Sequence, residues 1–237
     1  MTDARPAPPP TFASRSRPAI LRFAIACLVL LAVDLVSKSL AFEHVAGQPA
    51  EIVRDAEGRM LPLPPHEVIT VVPNVLGLHL TVNHGAVFGI GQGKRWIFVA
   101  FSLVAAVALP WIFARTRPDQ WIVHLALGSV LAGAIGNLHD RIVHGGVRDM
   151  LHLFPGVHLP FGWSWPGGST ELYPWIFNVA DVCLVIGLGI LMVAIYRMDD
   201  EEPAPAGDDA AGSGSVSSPV SPPDPDPAAT IDRKSVV

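Results

Sequence analysis

Four long apolar stretches constrain this chain more than anything else in it. A helix needs roughly 20 mostly apolar residues to cross a hydrocarbon core about 30 Å thick. Segments near 19–42, 96–114, 120–138 and 175–196 meet that requirement. The first is interrupted by Arg22, Asp34 and Lys38, the second carries no charge, the third is uncharged but contains His124, and the fourth has the single charge Asp181. Trp96, Trp111, Trp121, Trp175 and Tyr196 fall near span ends, where amphipathic rings favour the headgroup region. Only 16% of the residues are charged, against about a quarter in soluble domains. The net charge of −5 comes largely from a C-terminal tail, so the basic face of a nucleic-acid binder is absent. The fold class is therefore a mainly α membrane protein.

Around the four spans the chain changes character. Residues 1–18 are Pro-rich and polar, and residues 199–237 mix Pro, Ser, Ala and Asp, so both are expected as disordered tails flanking a membrane domain over 19–198. An insert at about 43–95 contains V-I-T-V-V (68–72) and L-G-L-H-L-T-V (76–82), separated by Pro73-Asn74. That pattern predicts a small sheet or hairpin at the membrane surface. The stretch 145–174, rich in Pro and Gly and holding Trp163 and Trp165, reads as a loop dipping at the interface. Four spans place both termini and the short 115–119 connection on one side, and both larger connections on the other. Near the spans, basic residues number seven on each side, so only the basic N-terminus before span one favours termini inside. Arg15, Arg17 and Arg22 before an apolar run resemble a signal peptide, but the run continues past Cys27 where cleavage would end it. Cys27 and Cys183 both lie in apolar runs, which favours core packing over a disulfide.

Ionisable groups inside a bilayer cost about 2.5–3.5 kcal/mol each even on lenient scales, so each needs a partner or a task. Four polar blocks stand out. D-L-V-S-K puts Asp34 and Lys38 four apart on one helix face, where they can pair or simply end the span. N-H-G-A-V-F-G (83–89) suggests a tight turn with close backbone approach, or merely a hairpin leading to span two. G-A-I-G-N-L-H-D-R-I-V-H-G-G-V-R-D-M (133–150) stacks Asn137, Asp140 and Arg141 on one face. Gly133 and Gly136 there permit close helix packing, and Asp149 follows a Gly-Gly turn. Asp140 and Arg141 could merely neutralise each other. F-N-V-A-D (177–181) places Asn178 and Asp181 on one face, with no base in span four to pair the acid and Asp181 about 9 Å below a helix start at Trp175.

Asp149 and Asp181 can meet if spans three and four are neighbours. Two close carboxyls cannot both ionise, so they share a proton, and one can activate water while the other polarises a carbonyl. Paired acids also serve proton or cation translocation, but spans one and two offer almost no polar lining for a path. No H-E-x-x-H or G-x-S-x-G occurs, and the spacing of His139, His144, His152 and His158 with Asp140 fits no known metal-ligand pattern.

Together the four blocks resemble lipoprotein signal peptidase (signal peptidase II), a family of bacterial intramembrane aspartyl proteases. The family pattern appears in order as D-L-V-S-K, N-H-G-A-V-F-G, G-N-L-H-D-R-I-V-H-G-G-V-R-D and F-N-V-A-D, over roughly residues 20–196. The resemblance implies a four-span fold with a small periplasmic β cradle between spans one and two. It implies a catalytic dyad of Asp149 and Asp181 at the outer leaflet of the inner membrane, with both termini cytoplasmic. The implied partner is a diacylglyceryl-prolipoprotein in membrane lipid, cut before its lipidated cysteine by a monomer without metal or other cofactor. Asn83, Gly85, Asn137, Asp140, Arg141, Asn178 and Ala180 would shape the site, and Asp34 and Lys38 would hold the fold around it. A small acid-dependent transporter and an inactive relative that binds lipoprotein precursors are the alternatives. The chain departs from the pattern at His84, Val87 and Met150, in longer inserts around 47–66 and 155–174, and at Arg148, whose charge would favour ionisation of Asp149.

Overall fold

The computed structural model describes residues 12–57, 60–85 and 94–199. The four spans form helices α1 (Arg17–His44), α2 (Arg95–Arg115), α3 (Trp121–Val143) and α4 (Val179–Asp199). All four are long and apolar enough to cross a membrane, so the chain is a multi-pass membrane protein. They do not share the interior equally. In the most apolar 18-residue window of each helix, 67% of α3 is buried, against 17% of α1, 11% of α2 and 17% of α4. Helix α3 is therefore the hub on which α1, α2 and α4 pack. The others turn residues such as Leu28, Val107 and Val185 outward, where lipid replaces water as the solvent.

Small residues let the backbones approach. A Cβ added at Gly133 would strike the Ala180 carbonyl oxygen and come within 2.8 Å of Leu184 Cγ, and one at Gly136 would strike the Asp34 carboxylate. These two positions seat α4 and α1 against α3. Gly133→Ala is expected to destabilise the protein by about 1–3 kcal/mol, the usual cost of overpacking, because its main obstacle is backbone that cannot rotate away. Thermal unfolding in detergent checks this.

The extramembrane part is a four-stranded antiparallel sheet in the order β1 (Ile69–Val72), β2 (Leu76–Asn83), β3 (Val147–Leu153), β4 (Ile176–Phe177). The first two strands form where β-branched and alternating residues predict them. Pro73-Asn74 joins them in a turn with Asn74 at φ 57° and Val75 N–H donating to the Val72 carbonyl, the Pro-Asn signature of a type II turn. Strand β3 corrects the expectation of an interfacial loop over 145–174, and β4 takes two residues expected at the start of span four. Arg148, Met150 and His152 alternate with Asp149 and Leu151, and β2 lies ready to pair with them, so the segment extends instead of coiling. One face of the sheet closes on the end of α1 through Ala41, Phe42, Val45, Leu80 and Met150.

Three boundaries also shift. Span three runs on to Val143, so Asp140 and Arg141 lie inside α3. Gly145 at φ 80° ends it, and its N–H donates to the Asp140 carbonyl. Span four begins at Val179, not Trp175, because Trp175 precedes strand β4; Asp181 is thus in the first turn of α4, not two turns down. Residues 13–15 of the expected N-terminal tail form a 3₁₀ turn, tied by Ala13 N–H to the Thr116 carbonyl at 2.9 Å. Cys27 and Cys183 are free and buried.

Candidate active site

Strand β3 and the first turn of α4 bring Asp149 and Asp181 to one cavity. The cavity holds about 490 Å³ and is bounded by Asn83, Gly85, Asn137, Arg141 and both acids. Asp149 is 1% exposed. Its register partner is Thr81 on β2, and both residues line the same cavity.

Helix α4 starts with a reciprocal cap. The Asn178 side-chain oxygen accepts the Asp181 N–H at 3.1 Å, and the Asp181 carboxylate accepts the Asn178 N–H at 3.3 Å. This is the capping-box logic written with Asn and Asp, and it fixes the Asp181 carboxylate at the helix mouth. The remaining Asp181 oxygen accepts Asn137 Nδ2–H at 2.9 Å. Asn178 spends its own amide protons on Asn137 Oδ1 at 3.2 Å and Asp149 Oδ1 at 2.5 Å. One asparagine thus caps the helix and touches the region of both acids.

Behind it lies a fully buried ionic layer. Lys38 Nζ donates to Asp34 at 2.9 Å and Asn137 Oδ1 at 3.1 Å, and sits 3.4 Å from Asp140 Oδ2. Asp34 Oδ1 accepts the Ala180 N–H at 2.8 Å, so α1 holds the first turn of α4 directly. The pairing of Asp140 with Arg141 does not occur. Asp140 instead takes Arg148 Nη2 at 2.9 Å, Arg148 Nε at 3.2 Å and the Arg148 backbone N–H at 2.9 Å. Arg141 donates to the carbonyls of Gly85 at 3.1 Å and Asn137 at 3.3 Å. The strand explains the exchange. Successive side chains of β3 point to opposite faces, so Arg148 turns from the cavity toward Asp140 and over Phe42 while Asp149 faces the cavity. Contrary to what its position beside Asp149 in the sequence suggests, Arg148 pairs its charge with Asp140.

Burial pushes the Asp149 carboxyl up to about 7, and the Asp181 charge pushes the same way, against hydrogen bonds from Asn178 and Asn83. Asp149 is thus the member of the pair suited to carry a proton near neutral pH. Its Oδ2 is buried without a hydrogen-bond partner among the described residues, where a proton and a substrate oxygen can go.

The site residues missed from sequence are the aromatic wall. Tyr173, Trp175 and Phe177 line the cavity, and their rings meet edge to face at 5.2 Å and 6.0 Å between centroids. Alternation over 173–177 was the available signal. Ala86 to Gly89, with Val87, lie outside the described residues. His139, Asp140 and His144 come close enough to suggest a metal site. Asp140 is already occupied by Arg148 and Lys38, and a divalent cation would have to displace both, so the donor set fits no metal.

The family model described as Signal peptidase (SPase) II matches residues 26–197. The lipoprotein signal peptidase of Syntrophotalea carbinolica is 38% identical over 135 residues, covering 56% of this chain and 75% of the relative. That of Anoxybacillus flavithermus is 34% identical over 147 residues, covering 62% and 78%. A bacterial membrane enzyme solved by the in meso method at 2.3 Å resolution superposes with a TM-score of 0.55 at 22% identity, covering 80% of this chain and 94% of that one, a likeness of fold. With a match spanning most of the membrane domain and all four helices, the chain belongs to the signal peptidase II family.

Proposed function

We propose that this protein is a membrane aspartic endopeptidase that removes signal peptides from prolipoproteins, with Asp149 and Asp181 as its catalytic pair. The observation that carries the reading is one cavity, between strand β3 and the first turn of α4, containing two carboxyls from two different elements, one of them held near its neutral form by burial. Asp181, with N–H donors on both oxygens, is the ionised partner. It takes a proton from a water molecule, whose oxygen attacks the scissile carbonyl carbon. Asp149 donates its proton to the carbonyl oxygen as the tetrahedral intermediate forms. Collapse breaks the C–N bond, Asp181 returns its proton to the leaving amine, and Asp149 recovers the one it gave.

The substrate in this reading is a diacylglyceryl-modified prolipoprotein cut before its lipidated cysteine. The enzyme acts as a monomer in the bacterial inner membrane, with both termini cytoplasmic and the site on the outer side. Asn83, Gly85, Asn137, Arg141, Asn178 and Ala180 position the substrate and the dyad, while Asp34, Lys38 and Asp140 hold the helices beneath. Lipidated and unlipidated precursor compared side by side test this: the lipidated form should be cleaved, releasing a peptide that ends just before the cysteine, and cleavage of the unlipidated form alone would refute it. The pH profile is a second check. Asp149 keeps its proton below about 7, so kcat/KM should fall about tenfold per unit above that value as the shared proton is lost.

A further inference from the structure

The segment between β3 and β4 forms an arm that neither the dyad nor its supports require. Its two sides are tied by the Leu159 N–H to the Thr170 carbonyl at 2.8 Å, the Leu172 N–H to the Val157 carbonyl at 2.7 Å, and His158 Nδ1 against Thr170 Oγ1 at 3.0 Å. The tip presents Phe161, 91% exposed, and Trp163, 66% exposed, with ring centroids 6.2 Å apart. Phe161 has φ 60° and Gly162 φ 73°, a backbone that holds the phenyl ring outward at a conformational cost. Residues 150–170 contain no Asp, Glu, Lys or Arg. In water, two large rings held outward at an uncharged tip would be a liability, and Glu171, the arm's one acid, lies back toward its base 3.3 Å from His152.

We propose that this tip docks in the lipid headgroup layer and anchors the extramembrane sheet to the bilayer. Three observations select lipid as the occupant. The arm leads through Trp175 into α4, whose first residue Val179 is only four positions on, so its root stands within about 14 Å of a membrane span. Its other side starts where the Phe154 N–H donates to the Val75 carbonyl, next to Val72 and Val75, which are themselves exposed, so the apolar rim continues along the sheet edge. Trp and Phe without flanking charge suit the interfacial layer, which favours amphipathic rings and disfavours ions. The anchor also reaches the cavity. Trp165 lies 4.7 Å from Trp175 between ring centroids, so the arm's depth in the lipid sets the height of the aromatic wall.

The test places a Cys at Ser164, between the anchoring rings, in the full chain reconstituted in lipid nanodiscs. The two native thiols are buried, and the unsubstituted chain serves as the labelling blank. An environment-sensitive fluorophore at Ser164→Cys should emit at shorter wavelength than the same fluorophore on a free cysteine in buffer and be quenched severalfold more by headgroup nitroxide lipids than by aqueous iodide. Adding Phe161→Ser and Trp163→Ser should return it to iodide. Full iodide access in the aromatic chain overturns the proposal. So does a blue shift that survives both serines, or one that appears only when a prolipoprotein is added, which would make the arm a substrate lid.

Discussion

Asp149→Asn and Asp181→Asn are each expected to lower cleavage of a lipidated prolipoprotein by at least about 10²–10⁴-fold, the range contributed by a positioned acid or base. Both variants should fold, because the amide keeps the acceptor that each carboxyl offers its asparagine neighbour: Asn178 Nδ2–H for residue 149 and Asn137 Nδ2–H for residue 181. The two should differ in stability. A carboxyl whose folded pKa is raised to about 7 favours the native state at low pH, and that advantage is lost as pH rises from the ordinary carboxylate range through about 7. The wild type should therefore lose about 1.4 kcal/mol per unit over that window from this group, and Asp149→Asn should not. Its melting temperature relative to wild type should rise with pH and level off above about 7. A variant that stays fully active would end the protease reading, and one that is inactive with an unchanged pH–stability curve would mean that Asp149 ionises freely.

Lys38→Met is expected to cost about 3–5 kcal/mol, the usual penalty for removing one partner of a buried ion cluster. The reason is the number of groups left behind. Lys38 is fully buried and faces Asp34, Asp140 and Asn137. Asp140 keeps Arg148, but among the described residues Asp34 keeps only the Ala180 N–H. Asp34→Asn added to Lys38→Met should therefore restore part of the loss, since the amide oxygen still accepts from Ala180 while the unpaired charge is gone. Thermal unfolding of the two variants in detergent makes the comparison. An unchanged melting temperature in Lys38→Met would show that the ionic layer contributes specificity and not stability.

The polar blocks could be located in the sequence because hydrocarbon makes each of them conspicuous. Asp34, Asn137, Asp140, Asn178 and Asp181 stand in apolar surroundings, and helical spacing gives each a face. Spacing could not show which face meets which. Asp140 and Arg141 are adjacent and opposite in charge, yet Arg148 claims the acid, because strand β3 passes beside the end of α3 and its alternation turns that guanidinium inward. The start of α4 was similarly hidden. Trp175 and Ile176 are as apolar as a span, and only pairing with β3 at Leu151 and His152 draws Ile176 and Phe177 into the sheet.

By itself the sequence determined that four helices are long and apolar enough to cross a membrane, that a hairpin stands between the first two, and which acids interrupt the apolar runs. These follow from local composition and period, which hydrocarbon and the pleat enforce residue by residue. Tertiary structure alone decided that Asp149 and Asp181 share a cavity, that Asn178 caps a helix while touching Asp149, and that Arg148 serves Asp140. Each of those depends on contacts between segments far apart in the chain, and their partners are chosen by the packing of α3 against everything around it.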